Sequence, residues 1–139
     1  MPAFTDEQRV RSRFILPEEA SLPSELMAPL IADAHAVLLT ELDPAFAEAD
    51  PAPEVLVLGE TLLAGARVLR ALASHEALQQ RAQRLGSQTL QPGGRAEALR
   101  ETARLAESEA WLLLAPYLRP KAMRRPADAS DSQPVLGGA

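Results

Sequence analysis

EVLVLGETLLAGARVLRALA, residues 54–73, decides the fold class, because it is apolar on most of its faces and long enough for several helical turns. Glu60, Arg67 and Arg70 interrupt it. Each of these charges would cost about 2.5–3.5 kcal/mol at a bilayer centre, which argues against a membrane span and for the central buried helix of a bundle. Gly59 and Gly65 weaken an exposed helix by up to about 1 kcal/mol each, so they predict places where another backbone approaches. The polar residues Glu60, Arg67 and Ser74 recur at intervals of seven and are expected to face solvent or a neighbouring subunit.

The rest of the chain supplies partners for that helix. Thr5 and Gln8 form a Thr-x-x-Gln capping box for a short first helix, with Val10 and Phe14 on one face and Pro17 as its stop. A second helix, predicted from Ser21 or Ser24 to about Leu42, carries Met27, Ile31, Ala34, Leu38 and Leu42 on one stripe, with Pro29 predicting a kink. Asp43-Pro44, Asp50-Pro51 and Pro53 mark a turn-rich loop. The central helix continues, or restarts at Ser74, as far as Gly86, and a loop over GSQTLQPGG follows. The last helix is predicted from about Arg95 to Ala115, with Leu99, Ala103, Ala106, Ala110 and Leu113 inward and Glu101, Arg104 and Glu107 outward; Pro116 ends it. The expected fold is therefore all-α, about four helices near 5–15, 22–42, 54–85 and 95–115, with Leu58, Leu62, Leu69, Ile31, Leu38, Leu99 and Leu113 in one core.

Composition agrees. With 139 residues there is room for one domain, and 47% apolar but only 4% aromatic residues predict a core of Leu, Ala and Val. The absence of cysteine excludes disulfides and thiolate zinc sites. No basic-then-apolar leader is legible at Met1 to Phe14, so an intracellular, unprocessed chain is expected.

Charge is segregated. Ten acids and no Lys or Arg lie between Arg13 and Arg67, whereas Arg119, Lys121, Arg124 and Arg125 stand against only Asp128 and Asp131 in residues 119–139, leaving that segment at +2 and the body at −7. An acidic body argues against a DNA-gripping surface. The last segment, rich in Pro, Ser and Gly, cannot bury enough apolar surface to order alone. The domain division is thus a bundle over 1–118 and an extended C-terminal arm over 119–139.

Catalytic and cofactor motifs are missing. Neither His35 nor His75 accompanies a nucleophile motif, and both read as structural or solvent-exposed. His75-Glu76 and Asp33-x-His35 have the wrong spacing to share a helix face as metal ligands. Gly93-Gly94 lacks the Lys-Ser/Thr of a phosphate loop. The expectation is a non-enzyme with no cofactor and no metal.

TDEQRVRSRF, LIADAHAVLLTEL, VLGETLLAGARVLRALAS and ESEAWLLLAPYL together resemble the head-tail connector (adaptor) proteins of tailed phages and gene transfer agents, over roughly residues 5–118. The resemblance implies a virion protein assembled in the host cytoplasm as a homo-oligomeric, twelvefold ring. Its partners would be the portal protein on one side and a tail-side stopper or tail terminator on the other, with DNA passing through unbound and no membrane involved. In that setting Glu41, Asp43, Glu48 and Asp50 are the candidate channel-facing acids. Arg119, Lys121, Arg124, Arg125, Val135 and Leu136 are the candidates for docking the arm on the portal or a neighbour. A small terminase-type DNA-packaging subunit, which would carry a basic helix-turn-helix, and a generic helical interaction module are the alternatives.

Overall fold

The computed structural model describes residues 2–16, 22–86 and 94–120, and the fold is an all-α bundle. Its helices are α1 (Glu7–Phe14), α2 (Ser24–Glu41), α3 (Pro44–Ala47), α4 (Glu54–Gly86) and α5 (Gly94–Leu114), and a 3-10 turn, Ala115–Tyr117, follows α5. Among the described residues there is no strand, only an isolated antiparallel bridge between Leu42 and Leu118.

Helix α4 is the axis, with α5, α2 and α1 packed around it. Leu56, Leu62, Leu63, Ala64, Val68 and Leu69 are buried on several of its sides at once, as its nearly continuous apolar run requires. It passes through Ser74 without restarting. Helix α5 meets it through a seam of small residues, Ala96, Ala103, Ala106 and Ala110, all buried, which lets two backbones approach closely. Helix α2 buries Met27, Ile31, Ala34, His35 and Leu38 and continues through Pro29, where one backbone hydrogen bond is lost. The turn-rich connection contains the single-turn α3, for which Asp43 Oδ1 accepts from Ala45 N–H at 3.0 Å.

Three sequence expectations are corrected. Asp6, not Thr5, caps α1, its Oδ1 accepting from Arg9 N–H at 2.9 Å; the Thr5 hydroxyl has a different partner. Leu58 is 37% exposed and Leu99 and Leu113 are only partly buried, whereas Leu62, Leu69, Ile31 and Leu38 are core. Gly59 and Gly65 of α4 receive side chains, not backbones: Gly65 underlies the Phe14 ring of α1, and Gly59 underlies Leu114 of α5. Most of the apolar surface of α4 is covered inside the chain, while Leu58 and Leu78 stay 37% and 63% exposed.

Gly65 is the tighter of the two, since a Cβ there would fall 1.9 Å from Phe14 Cε2. Gly65→Ala should therefore displace α1 and cost about 1–3 kcal/mol in urea unfolding. Shrinking the opposing side chain in the same molecule, Phe14→Ala, should make the pair cost less than the sum of the two single changes. Additive losses would mean that Phe14 does not sit on Gly65.

Candidate functional site

Among the described residues, the bundle interior holds one polar constellation in apolar surroundings. Glu60 of α4 is fully buried, and its neighbours Thr61, His35 of α2 and Thr5, just before α1, are buried with it. Glu60 Oε2 accepts from Thr5 N–H at 2.9 Å, and Oε1 lies 2.7 Å from His35 Nδ1. Thr61 donates its hydroxyl to Val57 O at 2.7 Å, which leaves the Thr61 oxygen to accept the Thr5 hydroxyl at 2.6 Å. The Phe4 ring meets His35 edge-on, with centroids 5.0 Å apart. His35 Nε2 has no hydrogen-bond partner among the described residues.

Glu60 therefore does not face solvent, contrary to the seven-residue polar spacing that groups it with Arg67 and Ser74. A buried carboxylate is tolerated only when donors converge on it, and here they come from two other segments. The constellation ties residues 4–6 and α2 to the axis helix. Outside it, Glu7 Oε2 accepts from Arg11 Nε and Ser24 Oγ, each at 2.8 Å, and Arg11 also donates to Leu22 O. The Ser24 hydroxyl first, and the Arg11 guanidinium after it, hold the Glu7 carboxyl below its ordinary range. This α1–α2 tie thus contributes above the ordinary carboxylate range and fades as pH falls through the lowered value.

The expected channel-facing acids separate into two groups. Glu41 and Asp43 are half-buried at the α2–α3 junction; Asp43 caps α3, and the Glu41 carbonyl accepts from Arg119 N–H at 2.8 Å. Glu48 and Asp50 are exposed and line one cleft of about 550 Å³ together with Glu54, Arg9 and the N-terminal residues Pro2 to Phe4. Glu25 and Asp33 are exposed on α2, and Glu18 and Glu19 lie outside the described residues.

Of the expected docking residues, Arg119 belongs to the bundle's edge: besides its backbone bond, its Nε donates to Leu42 O at 3.0 Å. Asp43 N–H to Tyr117 O, at 2.9 Å, completes the bridge that fixes where the chain leaves the bundle. Lys121, Arg124, Arg125, Val135 and Leu136 lie outside the described residues, as does most of the loop between α4 and α5.

Among the described residues, no three His, Cys, Asp or Glu side chains come together as metal ligands, and no helix is long and apolar enough to cross a membrane. His75 is exposed. No family model matches the chain, and no curated protein or solved structure shows detectable similarity to it.

Proposed function

We propose that this chain is a structural, non-enzymatic subunit of a head-tail junction, an adaptor that assembles as a ring, twelvefold by the resemblance, between a portal and tail-side components in a virion. The observation that carries the reading is charge segregation on a closed bundle. Glu25, Asp33, Glu48, Asp50 and Glu54 are exposed with no Lys or Arg between Arg13 and Arg67, whereas the sequence from Arg119 onward is net basic. Exposed carboxylates outside the cleft of Glu48 and Asp50, Glu25 and Asp33 of α2, repel duplex DNA and favour its passage without sticking. The basic segment leaves the bundle at a fixed point, beside Leu42, and has the charge to engage acids on a portal or on another subunit.

Truncation tests this. A chain ending at Pro120 keeps every described core contact and the Arg119 bonds, so it should melt within a few degrees of the parent and yet fail to join portal-bearing particles. The full chain should add a ring's mass to those particles in native mass measurements. It should also show no appreciable affinity for duplex DNA at physiological salt. Full-affinity assembly by the truncated chain would remove the arm's role. Tight duplex binding by the full chain would favour a packaging subunit of the small-terminase type.

A further inference from the structure

A second cleft, of about 570 Å³, runs between α1 and the start of α4. Val55 and Leu58 form its apolar floor, and Arg9 and Arg13 stand on its rim. It shares Arg9, Glu54 and Val57 with the acidic cleft of Glu48 and Asp50, so the two form one continuous trough. The first cleft is acidic, and the second has an apolar floor under a basic rim. Both rim arginines keep capacity for a further carboxylate. Arg9 meets Asp6 at 3.6 Å and Arg13 meets Glu109 at 3.9 Å, and all four side chains are about half exposed.

The chain beyond Pro120 carries the complementary chemistry. Lys121, Arg124 and Arg125 come first, then Asp128 and Asp131, then Val135 and Leu136. Residues 121–136 can span up to about 50 Å at roughly 3.3 Å per residue. Pro126 and Pro134 suit an extended segment, which exposes side chains to a trough without needing helix hydrogen bonds.

We infer that this trough is the docking site for residues 121–136 of a neighbouring copy of this chain. Lys121, Arg124 and Arg125 lie over Glu48, Asp50 and Glu54; Asp128 and Asp131 pair with Arg9 and Arg13; Val135 and Leu136 cover Val55 and Leu58. The donation by a neighbour rests on the ring reading above, and the trough is what joins one subunit of the ring to the next. The match of a basic run to the acidic cleft, and of two acids followed by two apolar residues to the arginine-rimmed apolar cleft, is what selects this occupant over an unrelated apolar peptide.

The chain has no cysteine, so pairs of introduced ones report proximity cleanly. Full-length Leu58→Cys protein is mixed with full-length Leu136→Cys protein under assembly conditions and oxidised. A covalent dimer should form well above the level given by Leu78→Cys with Leu136→Cys; Leu78 is 63% exposed but lies elsewhere on α4. Adding Arg9→Glu and Arg13→Glu to the first protein should lower the yield roughly two- to tenfold, the effect expected of two exposed ion pairs. Adding Asp128→Arg and Asp131→Arg to the second should restore it. Yields no higher than the Leu78 control overturn the inference. So does efficient ring closure within a single chain carrying both Leu58→Cys and Leu136→Cys at high dilution, which would make the arm its own chain's occupant. Native mass measurement of the same samples separates the two readings: rings without the cross-link reject the trough, whereas the cross-link in dimers that never form rings rejects the ring and keeps the trough.

Discussion

His35→Ala should be among the most destabilising single changes in this protein, lowering stability by about 3–5 kcal/mol although no apolar core residue is removed. The His35 and Glu60 side chains are 7% and 0% exposed, so the pair is largely withdrawn from solvent. Removing the imidazole strands the Glu60 carboxylate with the Thr5 N–H as its remaining donor from outside α4. A loss of that size is a large share of the roughly 5–15 kcal/mol that holds a domain folded. Adding Glu60→Gln to His35→Ala should recover on the order of 1–3 kcal/mol, because a neutral amide still accepts from Thr5 and costs less to bury than a charge. The measurement is the urea midpoint at constant slope. If the second substitution recovers nothing, Glu60 is not a stranded charge and the constellation is not what fastens residues 4–6 to the axis helix.

That constellation also marks the limit of what the sequence made legible. Helical elements and their order were readable because Pro17, Ser24, Gly86 and Pro116 punctuate apolar periodicities, and these signals are local. Ala103, Ala106 and Ala110 could be placed inward for the same reason. Glu60 could not be placed, since a spacing of seven assigns polar residues to one face and says nothing of a histidine 25 positions away that makes burial tolerable. Thr5 failed as a cap for the same reason. Its hydroxyl goes to Thr61, 56 residues on, and Asp6 takes the local task. Gly59 and Gly65 were recognisable as close approaches, but whether a backbone or a side chain fills the space depends on which neighbour the tertiary fold brings. The acids divide similarly: Glu48 and Asp50 came together at one cleft with Glu54, while Asp43 is a helix cap, a role its place before Pro44 could have suggested.

Leu62→Ala is expected to cost about 2–5 kcal/mol, and the width of that range is set by how far α4's neighbours can collapse into the space. Leu62 is 2% exposed, on the helix that every other long helix touches, so the lost side chain leaves a cavity walled on several sides. A pure transfer loss would lie near the lower figure; a cavity that cannot close adds to it. Leu58→Ala, four residues earlier on the same helix, should cost less than about 1.5 kcal/mol, because that side chain already keeps 37% of its surface in water and leaves no enclosed void. In a domain of this size each kcal/mol moves the melting temperature by roughly 4 °C, so thermal denaturation separates the two variants clearly. If Leu58→Ala melts as low as Leu62→Ala, the exposed trough floor is covered in solution, and the same comparison made in the chain ending at Pro120 tells whether the arm covers it.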